Sequence, residues 1–87
     1  MTNETPAALA ERSVATLLRL SGSQGASTLR EITALFHDVQ FDDPETSWAI
    51  DRICQHLEGK ARYGRDIASV WDVAIRKARE WRARTEH

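Results

Sequence analysis

Ala10, Val14, Leu17 and Leu18 recur at the three-and-four spacing of one helical face, and that rhythm returns three more times before the chain ends. Thr5 followed by Pro6 supplies an N-cap with proline at the first helical position, where its missing N–H costs nothing. Ser21-Gly22 stops the pattern with a residue that tolerates positive φ, so a first helix is predicted over 6–20. Thr28 with Glu31 three residues on reads as a capping box, and Ile32, Leu35, Phe36 and Val39 give a second helix, over 28–40, its apolar stripe. Asp43-Pro44 repeats the cap-plus-proline signature, and Glu45 sits where the positive end of a helix dipole favours a carboxylate. Ile50, Ile53, Cys54 and Leu57 form the stripe of this third helix, over 44–58, which Gly59 terminates. Ile67, Val70, Trp71, Ala74, Ala78 and Trp81 carry a fourth helix over 66–84, started by Asp66 or, alternatively, by Ser69 with Asp72 as its box-like partner. Gly64 separates it from the third, and no strand pattern competes. The expectation is one all-α domain spanning 1–87, a compact bundle of four short amphipathic helices packed antiparallel or partly orthogonally.

With 41% hydrophobic and 29% charged residues, the 87-residue chain has the make-up of a folded domain rather than of a disordered acidic tail. A chain this short buries a modest share of its surface, so a homodimer or a bound partner would add stability. Its one cysteine, Cys54, rules out an internal disulfide framework and leaves too few thiols for a cysteine-based zinc site. No apolar run is long enough to span a bilayer, and the start MTNETPAALAERS lacks the basic and apolar regions of a secretory signal. A cytoplasmic protein that does not engage membranes is expected.

Little in the sequence points to catalysis. Cys54 lies inside the Ile50, Ile53, Leu57 stripe, where a thiol behaves as a small buried hydrophobe. His56, two residues on, points about 200° away from Cys54 around a helix and cannot easily share a metal with it. His37 lies off its helix's stripe and His87 ends the chain. The four glycines punctuate helices instead of forming a phosphate loop, and no HExxH or nucleophile elbow occurs. Neither an enzyme nor a cofactor or metal site is expected.

Charge is what sets this chain apart. Four basic residues stand against nine acidic ones before Lys60, and eight basic against four acidic from Lys60 on, although the whole chain nets −1. The basic tail RKAREWRARTEH invites a nucleic-acid reading, with arginines for phosphates and a tryptophan for stacking. Against it, Trp81 shares the fourth helix's apolar face, and Asp72, Arg76 and Glu80 form a ladder of i, i+4 charge pairs. The second and third helices could also form a helix-turn-helix, but the residues that would approach DNA phosphates are Asp42, Asp43, Glu45 and Asp51.

Trp48 departs from the pattern. It falls about 160° around the third helix from Ile50, beside Arg52 and Gln55, so it either packs under a neighbouring element or stands exposed as an interface anchor. Carboxylates Asp42, Asp43, Glu45 and Asp51 would then rim that anchor and suit a basic protein partner. The segment AIRKAREWRA resembles the last helix of the colicin-type DNase immunity proteins, four-helix domains of similar length. Those proteins place a tyrosine pair and a proline before that helix, where this chain has ARYGRD and the single Tyr63, so no residue roles transfer. An inhibitor of a nucleic-acid-handling protein is compatible with the acidic surface of the third helix. The reading is thus a small non-catalytic regulatory or inhibitory protein that binds a basic partner through Trp48, Asp42, Asp43, Glu45, Asp51 and Arg52. The alternative is a helix-turn-helix transcriptional regulator, possible as a homodimer, whose basic C-terminal helix adds phosphate contacts.

Overall fold

Four helices follow one another in the computed structural model, which describes residues 5–38, 44–60 and 66–85: α1 (Pro6–Leu20), α2 (Ala26–Asp38), α3 (Pro44–Leu57) and α4 (Asp66–Thr85). Among the described residues there is no strand, and the arrangement is an all-α bundle with a radius of gyration of 12.5 Å. The local signals explain most helix ends. Thr5 takes an extended conformation and its hydroxyl accepts from the Ala8 N–H at 3.1 Å, while Pro6 occupies the first turn. At the end of α3, Gly59 adopts φ 75° and lets the Lys60 N–H reach back to the Gln55 carbonyl at 3.0 Å and the Gly59 N–H to that of His56 at 3.1 Å. These two bonds make a Schellman motif, which satisfies carbonyls the helix itself leaves open. Asp66 is the first residue of α4, so Ser69 lies within the helix and does not start it.

The second helix starts earlier than its capping-box signal predicts. Gly25 already receives the Leu29 N–H on its carbonyl at 3.1 Å, so the helix begins at Ala26 and Thr28 lies inside the first turn, buried. Glu31 does not reach back to cap the helix. Its carboxylate is gripped by the Arg19 guanidinium at 2.8 and 3.3 Å, a two-pronged pair that ties the end of α1 to α2. That hydrogen bond, together with the charge attraction, holds the Glu31 carboxyl below its usual range and Arg19 above its own. Val39, Gln40, Asp43 and Gly64, which figure in the predicted boundaries, lie outside the described residues.

Packing follows from which faces are apolar. α4 lies between α1 and α3, while α2 packs chiefly on α3 and more lightly on α1. Glu11 near the start of α1 meets Arg82 near the end of α4 at 3.7 Å, and Glu45 at the start of α3 meets Lys77 of α4 at 3.1 Å, so α4 runs antiparallel to both. The core joins Val14, Leu17 and Leu20 of α1, Ile32 and Leu35 of α2, Ile50 and Ile53 of α3, and Val70, Trp71 and Ile75 of α4. Burying each large aliphatic side chain stabilises by about 1.5–3 kcal/mol before the ordering entropy is counted. Cys54 and Trp81 are half-buried and pack against this core, as their stripe positions predict.

Two predicted core residues point outward instead. Leu18 is 46% exposed and Leu20 takes its place, because about 100° separates Leu18 from Leu17 around the helix but only about 60° separates Leu20 from it. Phe36 is 42% exposed. α2 has its packing partners on the side of Ile32 and Leu35, and Phe36 falls beyond the edge of that sector.

Candidate functional site

α3 divides into two faces. Thr46, Ala49, Ile50 and Ile53 are buried, and the opposite side presents Trp48, Asp51, Arg52 and Gln55. Trp48 is 47% exposed, the highest value among the large hydrophobic side chains described. Its setting is ordered. The Arg52 guanidinium carbon lies 5.7 Å from the Trp48 ring centre, a cation–π distance. An Arg52 terminal N–H is 3.5 Å from the Gln55 side-chain oxygen, and the Gln55 amide donates to the Asp51 carboxylate at 2.7 Å. One aromatic, one cation, one amide and one carboxylate are thus linked along two turns of a helix whose other side is fixed in the core. Interfaces use such anchors because a large side chain pre-placed in the free protein loses little entropy on binding.

Glu45 departs from the sequence reading. Instead of rimming Trp48 alone, its carboxylate lies 3.1 Å from the Lys77 ammonium and 3.7 Å from the Arg76 guanidinium, both on α4. Lys77 also sits 3.6 Å from Glu80. The i, i+4 pairing predicted for Arg76 therefore gives way to a contact between helices. The charge split along the sequence closes on itself here, the acidic start of α3 lying against the basic middle of α4. Asp42 and Asp43 lie outside the described residues. Of the six residues predicted to bind a partner, Trp48, Asp51 and Arg52 share the outer face, and Glu45 is tied to α4.

Two further concave features lie elsewhere on the surface. A cavity of about 180 Å³ lies between the α1–α2 connection, the end of α3 and the start of α4, lined by Ser21, Gln24, His56, Ile67, Trp71 and Asp72 among others. Along the outer side of α4 a broader groove is lined by Ser69, Asp72, Val73, Arg76, Arg79 and Glu80. Its carboxylates interrupt its guanidinium groups, which is unfavourable to a polyphosphate backbone. The cavity depends on which segments meet in space and leaves no periodic trace in the sequence, whereas the groove is one face of α4 alone, with lining residues at helical spacing.

The thiol of Cys54 is half-buried against the core, and burial pushes its pKa up, with Glu58 and Asp51 adding to the effect and a hydrogen bond from Thr33 opposing it. A raised thiol pKa is the reverse of what nucleophilic or metal-binding cysteines require. No group of three or more His, Cys, Asp or Glu side chains among the described residues is placed to hold a metal ion, and none of the described helices is long and apolar enough to cross a membrane. The fold and surface thus define a small four-helix domain with an ordered aromatic face on its third helix. The chain matches no protein-family model, and comparison with curated proteins and with solved structures gives no match.

Proposed function

We propose that this chain is a small non-catalytic regulatory or inhibitory protein that acts by binding another protein directly, through the Trp48 face of α3. The observation that carries the reading is the half-exposed Trp48 held under Arg52, on a helix whose opposite face is anchored in the core. An exposed tryptophan of this kind contributes binding energy when a partner covers it and little stability when it stays in water. The partner is a protein with a basic surface, met by Asp51 and by the carboxylates Asp42 and Asp43 that precede α3 in sequence. Glu45 contributes less than its position suggests, because Lys77 and Arg76 already neutralise it.

The test is co-purification from the native cell with the full chain and with Trp48→Ala, the fold of both checked by circular dichroism. Loss of the bound protein with Trp48→Ala at an unchanged helical spectrum supports the reading. Equal retention by the folded variant overturns it. The DNA-binding alternative predicts a gel shift whose affinity falls steeply with salt, and no shift at low salt removes it.

A further inference from the structure

We infer that the same face is also a self-association surface, on which a second copy of the chain docks about a two-fold axis running along α3, so that dimerisation and partner binding compete for Trp48. This rests on the reading of the Trp48 face as a binding surface. It adds the first occupant of that face and the concentration dependence that follows.

The argument is one of symmetry and charge. A two-fold interface brings one patch against itself, so a stable one must be its own complement. Around α3, at 100° per residue, Gln55 lies within about 20° of Trp48, Asp51 about 60° to one side and Arg52 about 40° to the other. The patch therefore has an aromatic and an amide along its middle, a carboxylate on one flank and a guanidinium on the other; Glu45, about 60° from Trp48 on the guanidinium's side and two turns before Arg52, is already held by Lys77 and Arg76 of α4. When two copies face each other with α3 parallel, the two-fold axis exchanges the flanks. Asp51 of each chain then comes opposite Arg52 of the other, twice, while Trp48 meets Trp48 and Gln55 meets Gln55 on the axis. The antiparallel arrangement keeps like flank against like and sets Asp51 near Asp51, which is repulsive. The parallel register follows because Asp51 and Arg52 are adjacent in sequence and so differ by only about 1.5 Å in height along the helix.

Among the described residues, no other exposed large hydrophobic side chain offers this. Leu18 and Phe36 are as accessible as Trp48 but lie on separate helices. The groove along α4 is centred on the cation Arg76 instead of an aromatic ring, and either two-fold pairing, parallel or antiparallel, sets that guanidinium against its own copy. On the Trp48 face each charge finds its opposite within the same patch.

The experiment is sedimentation equilibrium of the purified full chain, alone and as variants, with circular dichroism as the fold control. The native chain is expected to show a monomer–dimer equilibrium that Trp48→Ala weakens about tenfold or more. Asp51→Arg gives a patch with two cations and Arg52→Asp one with two anions, so each is expected to be monomeric alone. Mixed together they are expected to associate, and the double variant Asp51→Arg/Arg52→Asp to dimerise within about threefold of the native chain. Recovery on mixing cannot arise from misfolding of either component. A native chain monomeric at about 1 mM, a dimer indifferent to Trp48→Ala, or single reversals that stay monomeric when mixed would each overturn the inference. A monomer whose partner capture still depends on Trp48 sinks self-association alone. A dimer that persists while Trp48→Ala leaves capture intact sinks the partner reading alone.

Discussion

Replacing Glu45 by glutamine tests whether the charge asymmetry of this chain serves its fold. The carboxylate makes one close pair, 3.1 Å to Lys77, whose side chain is only 23% exposed, and one looser pair, 3.7 Å to the more exposed Arg76. An exposed pair contributes roughly 0.2–1 kcal/mol; the Lys77 pair belongs near the top of that range and the Arg76 pair near the bottom. A carboxylate in the first turn of a helix adds about 0.3–1 kcal/mol through the dipole. Glu45→Gln keeps the size of the side chain while removing the charge, so the expected loss is about 1.5–2 kcal/mol. For a domain of this length that lowers the thermal midpoint by about 6–16 °C. The assay is thermal unfolding by circular dichroism at low ionic strength and in about 1 M salt, where screening acts over roughly 3 Å and should erase most of the difference. A cycle with Lys77→Gln isolates the pair and should return a coupling of about 0.5–1 kcal/mol. An unchanged midpoint, a zero coupling or a loss equally large in high salt would refute the reasoning.

Three other outcomes follow from the packing and the titrating groups. Ile53→Ala, at a core position with no exposure, should destabilise by about 2–5 kcal/mol in urea unfolding, a large part of the total for so small a domain. Glu31 has its carboxyl pKa lowered by Arg19, so the unfolded chain binds the proton more readily; the pair's stabilisation is present above the ordinary carboxylate range and lost as pH falls through the lowered value. Acid unfolding of Glu31→Gln should lack that component, and identical acid limbs for the two chains would count against it. The Cys54 thiol, raised by burial, should react with an alkylating reagent at pH 8 several-fold more slowly in the folded chain than in urea, as mass spectrometry can follow.

Helix existence and type were legible in the sequence because each helix carries its own start and stop chemistry. Thr5-Pro6 and Gly59 act within a few residues of where they stand, and the structure uses them as local rules require. Trp48 was legible for a related reason. Its angle around α3 depends only on helical geometry, and the structure leaves it half exposed on the polar side.

Features decided by neighbours were not legible. A spacing of three and four marks a face but not its width, so it places Phe36 in a stripe whose packed sector ends before it. The Thr28 and Glu31 signature satisfied a capping rule, yet Arg19 from another helix claimed the carboxylate. Glu45 looked like surface charge beside Trp48 because the sequence does not say that Lys77 lies across from it. The spacing of the basic tail predicts pairing within its own helix, whereas Arg76, Lys77 and Arg82 all reach carboxylates on other helices.

The central claim is that an apolar core, with ion pairs between its helices, fixes this bundle while Trp48 is left facing outward as an anchor for a partner. A photo-crosslinking amino acid placed at position 48, and in separate chains at the equally exposed positions 18 and 36, tests it in the native cell. The account predicts a crosslinked protein at position 48 that is absent or much weaker at 18 and 36, from chains with indistinguishable melting curves. No adduct at 48, or the same adduct from all three positions, would contradict it.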